Sequence, residues 1–307
     1  MLYFLITIAA ITLLILIISF VCFLMAFYVP RRKPEGDEFI LPKGKVYEPH
    51  YDKMLSFMKE TRDTPCTKAE ITSFDGLKLK AKYYEFSQDA PIELLLHGYR
   101  GTSERDLCGA VQRCFKLGHS AFIVDHRASG QSEGNIISFG VNESKDCLLW
   151  IDYILKNMGC DRKIILAGIS MGASTAMITA GYDLPKNVIG VVADCGYTSA
   201  KEIIKKVVSD LKLPANILYP FIKLGAFIFG QFDLDSVSPI KAMENCKIPV
   251  IFFHGKTDDF VPFYMSEQNF NACKSKKELI LTEETGHGLC YITEPTLYIE
   301  SLEKFFN

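Results

Sequence analysis

The chain opens on an unbroken apolar run and then settles into alternation. From Leu2 to Val29 no residue carries a charge, and Thr7, Thr12 and Ser19 are its few polar positions. As a helix this run would extend about 42 Å at 1.5 Å per residue, enough to cross a hydrocarbon core of about 30 Å with tilt to spare. Pro30 to about Lys45, rich in proline, glycine and charge, reads as a linker, and Tyr51–Lys59 as a short lead-in helix. From about Ile71 onward, short β-branched runs alternate with longer amphipathic ones. Ile71–Phe74 and Leu77–Phe86, joined by Asp75-Gly76, predict an antiparallel hairpin. Ile92–Leu96, Ala121–Asp125, Ile164–Ala167, Val188–Asp194, Pro249–Phe253 and Leu279–Thr282 have the length and apolar character of strands buried on both faces. Helical patterns lie between them at Glu104–Leu117, Glu143–Asn157, Met171–Gly181, Phe263–Cys273 and Tyr291–Phe306. This alternation predicts an α/β fold, a mostly parallel, doubly wound sheet with helices on both faces. The stretch from Asp194 to Pro249 is too long for a simple crossover. With its own helical pattern at Ala200–Leu211, it predicts an inserted cap over about residues 197–245. The chain thus divides into an anchor (1–30), a linker with lead-in helix (31–70) and a globular domain (71–307).

Composition narrows the function. Of 307 residues, 34 are Lys or Arg and 36 Asp or Glu, a net charge of −2 that disfavours a nucleic-acid-binding surface. Hydrophobic residues at 49% and charges of mixed sign at 23% exclude a disordered chain. Mean hydropathy is positive because of the first thirty residues. That segment has no basic leader, is too long for a signal peptide and is followed by no small-x-small cleavage site. Cys22, behind Ser19-Phe20-Val21, is a poor acylation site, so a retained anchor is expected. Arg31, Arg32 and Lys33 follow it at once, and the positive-inside tendency puts the globular domain in the cytoplasm. Nine of the ten cysteines lie outside the run, an odd number without paired spacing, which suits free thiols in a reducing compartment. No Cys-x-x-Cys or His-x-x-x-His pair occurs, and neither a metal nor an organic cofactor is expected.

The sharpest local signal is Gly168-Ile169-Ser170-Met171-Gly172, after one expected strand and before a helical run. Gly-x-Ser-x-Gly in that setting is a nucleophile elbow, a turn so tight that only glycine fits two residues either side of the serine. A serine hydroxyl needs a base and an orienting acid, and in this architecture they follow in the order serine, acid, histidine. His254-Gly255-Lys256-Thr257-Asp258-Asp259 leaves the strand Pro249–Phe253, and Gly286-His287-Gly288 follows the last strand. Both loops reach the sheet edge where ligands of open α/β sheets bind. His287 is the expected base and Asp258 the expected acid, with Asp259 and Asp194 as the other carboxylates that spacing allows. Backbone N–H groups of Tyr99, after Leu96-His97-Gly98, and of Met171 would form an oxyanion hole. His97, His126 and His254 read as structural.

From about Ile71 to Phe306 the chain resembles α/β-hydrolases of the serine-aminopeptidase-like group, which also holds monoacylglycerol lipases and many esterases. The resemblance rests on Leu96-His97-Gly98, the segment Asp125–Gly134, the elbow Gly168–Gly172 and the loops of Asp258 and His287. It implies hydrolysis through an acyl-enzyme. One departure stands out: Asp125-His126-Arg127-Ala128-Ser129-Gly130-Gln131-Ser132 has Ala128 where that group has its first glycine, and a small local adjustment of the loop is expected.

The expected function is a membrane-anchored serine hydrolase of carboxylic esters, some of them lipid-like. The alternatives are a peptidase or amidase with the same triad, acyl transfer to an alcohol, and a non-catalytic binding protein on a hydrolase scaffold. Ser170 excludes a dehalogenase, which would carry aspartate at the elbow. Ile217–Gly230, apolar apart from Lys223, is expected to be chiefly the packing face of the cap, with lining an acyl pocket or dipping into the bilayer as further roles.

Overall fold

A computed structural model describes residues 1–30 and 38–306. Arg31, Arg32 and Lys33, on which the expected membrane orientation rests, lie outside these residues. The apolar run forms helix α1 (Leu2–Ala26), the one helix among the described residues long and apolar enough to cross a membrane. The lead-in helix α2 (Tyr51–Asp63) precedes a hairpin of β1 (Thr67–Thr72) and β2 (Lys78–Tyr84). Then follow β3 (Ile92–Leu96), α3 (Ser103–Asp106), α4 (Ala110–Lys116), β4 (Ser120–Val124), α5 (Val141–Asn157), β5 (Ile164–Ile169), α6 (Met171–Ala180) and β6 (Val188–Asp194). Between β6 and the next strand lie α7 (Ala200–Asp210), α8 (Ala215–Gly230) and α9 (Pro239–Asn245). The chain ends with β7 (Val250–Gly255), α10 (Tyr264–Ala272), β8 (Lys277–Thr282), α11 (Cys290–Thr293) and α12 (Pro295–Phe306).

The strands form one sheet in the order β1-β2-β4-β3-β5-β6-β7-β8, antiparallel across β1, β2 and β4 and parallel from β4 to β8. Two expected helices are each divided. Gly109, at φ 83°, separates α3 from α4, a conformation that glycine adopts at little cost. Pro295 separates α11 from α12, because its ring removes the N–H that a continuing helix needs. Successive strand residues point to opposite faces, so one core holds Leu94, Leu96, Phe122, Trp150 and Leu166. The other holds Leu95, Ile123, Ala167, Val192 and Phe253.

The end of α1 is built into the globular part. Phe23, Phe27 and Val29 are buried in a third apolar cluster with Phe139, Tyr219, Ile222 and Phe232. Main-chain bonds run from Val29 N–H to Asn135 O (2.7 Å) and from Ile137 N–H to Phe27 O (2.9 Å). Further up the helix, Phe229 of α8 stacks edgewise on Phe20 at 4.9 Å between ring centres. Gly225 lets α8 approach closely: a Cβ there would sit 2.4 Å from the Ser19 carbonyl oxygen.

The loop after β4 carries a non-glycine residue at positive φ. Ala128 has a left-handed backbone at φ 61°, held by its own N–H to Glu133 O at 2.9 Å. Alanine thus bears the conformation that glycine would take freely, at about 1 kcal/mol. Nearby Gly130 has no such latitude, since a Cβ would lie 2.3 Å from the Asp125 carboxylate carbon.

Candidate active site

Three strand ends and two loops converge on Ser170. The turn from β5 into α6 leaves no room for side chains at its glycines. A Cβ on Gly168 would stand 2.3 Å from the Gly172 carbonyl, and one on Gly172 would stand 2.0 Å from Leu96 O. Ser170 sits between them at φ 56° and ψ −117°, a conformation that costs about 1–3 kcal/mol for a residue with a Cβ. Its N–H is tied to Asp194 O at 2.8 Å, which pins the turn to the end of β6.

The loops after β7 and β8 bring the expected partners to this serine. His287 Nε2 lies 3.0 Å from Ser170 Oγ, and its Nδ1 lies 2.7 Å from Asp258 Oδ2. Of the three carboxylates that spacing allowed, Asp258 is the one bonded to His287. Asp259 is exposed beside it, and the Asp194 side chain makes no bond to the imidazole. The Asp258 carboxylate is held on both sides. Oδ1 accepts from Phe260 N–H (2.9 Å) and Val261 N–H (2.8 Å). Oδ2 is approached by a second imidazole, His254 Nε2, at 3.2 Å. That same nitrogen lies 2.8 Å from Val261 O, so it carries the proton, and Nδ1 accepts from the Ser266 hydroxyl at 2.6 Å. Burial alone would raise the Asp258 carboxyl. The hydrogen bonds from His254 and His287 outweigh it and hold the group far below the ordinary carboxylate range.

Tyr99 follows β3 by three residues, and Met171 directly follows the serine. Neither amide donates a hydrogen bond to another group among the described residues. Sequence reasoning missed what shapes the loop of Tyr99. Asp106 accepts from Gly98 N–H through Oδ2 (3.0 Å) and from Arg105 Nε through Oδ1 (2.6 Å). Only the Thr102 cap of α3, which accepts from Arg105 N–H at 3.2 Å, has a readable signature, so nothing marked Asp106 in advance. His97 braces the turn, with Nδ1 against Gly98 O (2.9 Å) and Nε2 accepting from His126 N–H (3.0 Å).

A cleft with about 1120 Å³ of empty space, its open mouth included, runs beside Ser170. Its walls come from unexpected places: Pro42, Tyr47 and Met54 of the lead-in segment, Leu107 after α3, and Tyr291 and Ile292 of α11. No residue of 217–230 lines it, so that stretch packs against α1 and gives the cleft no wall. Cys195 Sγ, an Asp258 oxygen and a His287 nitrogen lie within 4.8 Å of one another, the one such grouping among the described residues. Burial pushes the Cys195 thiol well above its ordinary range, and the other two groups are bonded to each other, so the trio is a poor metal site.

Comparison with known proteins agrees with this architecture. The sequence profile of the family described as alpha/beta hydrolase fold matches residues 94–218. The Bacillus subtilis protein YqkD is 30% identical over 193 residues, 62% of this chain and 63% of its own. The lysophosphatidylserine lipase ABHD12 of Danio rerio is 24% identical over 224 residues, 69% of this chain and 54% of its own. The chain therefore spans less than two thirds of either relative. Among solved structures, the Pyrococcus furiosus esterase Pf2001 superposes with a TM-score of 0.67 at 21% identity, covering 91% of this chain and 97% of that one, a likeness of fold. The chain has the α/β-hydrolase fold, and its segment 94–218 matches the family of that description.

Proposed function

We propose that this protein is a membrane-anchored serine hydrolase that cleaves carboxylic esters through an acyl-serine intermediate. The observation that carries the reading is the position of one imidazole, 3.0 Å from Ser170 Oγ and 2.7 Å from Asp258 Oδ2. With Nδ1–H donated to Asp258, Nε2 is free to accept the hydroxyl proton as Oγ attacks the ester carbon. Asp258 stabilises the imidazolium so formed. The Tyr99 and Met171 amides donate to the oxyanion, and His287 returns the proton to the departing alcohol. Water then repeats the sequence on the acyl-enzyme. The likeness to the Pf2001 esterase and to the Danio rerio lysophosphatidylserine lipase supports an ester, and in the latter case a lipid, as substrate. The length and apolarity of α1 support the anchor, and Arg31–Lys33 support a cytoplasmic domain.

The test is fluorophosphonate labelling of membrane fractions. Wild type labels, and Ser170→Ala and His287→Ala do not; a folded wild type that stays unlabelled overturns the reading. Activity of an external reporter fused after Asn307 would refute the cytoplasmic assignment.

A further inference from the structure

The buried part of the cleft is unlike a channel for a plain hydrocarbon chain. Asp194, 5% exposed, and Tyr291, 7% exposed, both line it, and each presents a polar atom with no hydrogen-bond partner, Oδ1 of the aspartate and the phenolic oxygen of the tyrosine. Arg113 and Tyr298 line the same region, joined by a bond of 3.4 Å between Nη1 and the Tyr298 hydroxyl, and Arg113 Nε is unpartnered too. Glu93, buried on β3, pairs with the guanidinium from behind and keeps it charged. These side chains come from β6, α4, α11 and α12, so the polar lining of the cleft is a property of the fold and of no single element.

Charge decides what can be bound there. An alkyl chain would cover Asp194 Oδ1 and the Tyr291 hydroxyl and leave both unsatisfied, at about 1–3 kcal/mol for each group. A substrate cation would meet Arg113, and a substrate anion would meet Asp194. An uncharged hydroxyl suits either group: it can accept from the Tyr291 phenol or donate to Asp194 Oδ1. We infer that the cleft is a subsite for a hydroxyl carried by the ester several bonds from its carbonyl, read by Tyr291, with the Asp194 carboxylate as a further unpartnered acceptor on the cleft wall. This rests on the esterase reading above and narrows its substrate class to hydroxylated esters.

The experiment compares kcat/KM for matched pairs that differ by one hydroxyl. One pair varies the acyl part, p-nitrophenyl hexanoate against 6-hydroxyhexanoate; the other varies the alcohol, hexyl acetate against the monoacetate of 1,6-hexanediol. Wild type should favour the hydroxylated member of at least one pair by about tenfold or more, and Tyr291→Phe, which removes one oxygen, should bring that ratio close to one. Asp194→Asn, which keeps an acceptor but loses the charge, should fall between them. Fluorophosphonate labelling of Ser170 in each variant reports that the site is folded. Turnover of both pairs with no hydroxyl preference in wild type, or a preference that survives Tyr291→Phe, overturns the subsite while leaving the esterase reading intact. Absence of labelling and of turnover in wild type overturns both.

Discussion

The phenol of Tyr99 donates to the carbonyl of Ala26 at 2.6 Å, so the residue whose amide we propose for the oxyanion hole also closes the last turn of α1. Its neighbour Arg100 donates to Met25 O (2.9 Å) and Tyr28 O (3.0 Å). The final carbonyls of a helix have no partner within it, and here the loop after β3 supplies one. The membrane-length helix and the proposed oxyanion loop are thereby a single hydrogen-bonded unit.

Tyr99→Phe deletes that bond without touching the main-chain amide. We expect kcat for an aryl ester to fall about fivefold with KM nearly unchanged, in line with a single hydrogen bond of about 1 kcal/mol. Steady-state kinetics in detergent would check it. An unchanged kcat in a variant that still labels with fluorophosphonate would mean that the loop holds its shape without the helix.

Ala128→Gly should stabilise the protein by about 1 kcal/mol, because it relieves a left-handed conformation at φ 61°. The gain is smaller if the freer unfolded chain offsets it. Thermal unfolding with activity measured alongside would report both, and kcat should not move.

Gly225→Ala places a methyl where the Ser19 carbonyl already stands, 2.4 Å from the new Cβ. The two helices must separate, at about 1–3 kcal/mol. A lower melting temperature in detergent is expected, with Phe20 and Phe229 no longer in ring contact. An unchanged melting temperature would show that the α1–α8 packing contributes nothing.

Asp194 gives a pH signature. Burial raises its carboxyl from 3.8 to about 6, only partly opposed by His254 and a bond from Cys290. The folded state therefore holds this proton more tightly than the unfolded state, and stability falls as pH rises from about 4 through 6. Asp194→Asn removes the loss, so the variant should gain about 2 kcal/mol on wild type at pH 7.5 compared with pH 4.5. Denaturant melts at the two pH values would measure the difference. Equal differences at both would contradict the raised carboxyl.

The elbow was legible because its chemistry is covalently local. Gly168, Ser170 and Gly172 are neighbours in sequence, and the glycines answer to atoms a few residues away or on the adjoining strand. Asp258 and His287 could be named because chain order and strand ends restrict where an acid and a base can stand. The second imidazole on Asp258 was read only as structural, since nothing in its spacing says that His254 would turn back on a carboxylate four residues later. The docking of α1 was illegible for a different reason. A run that is apolar all round shows no preferred face, so its contact with Gly225 and Phe229 depends wholly on the tertiary fold. The breaks at Gly109 and Pro295, by contrast, were written in the sequence and were outvoted by the amphipathic pattern around them.

Pro42, Tyr47 and Met54 wall the cleft beside Ser170 although all three precede the first strand of the sheet. The stretch between the apolar helix and the hydrolase core is therefore no mere spacer. Two proteins could share the sheet, the elbow and the histidine loop and still choose different substrates through the forty or so residues that come before them. A chimera that exchanges only this leader between homologues would transfer selectivity while leaving the reacting groups untouched.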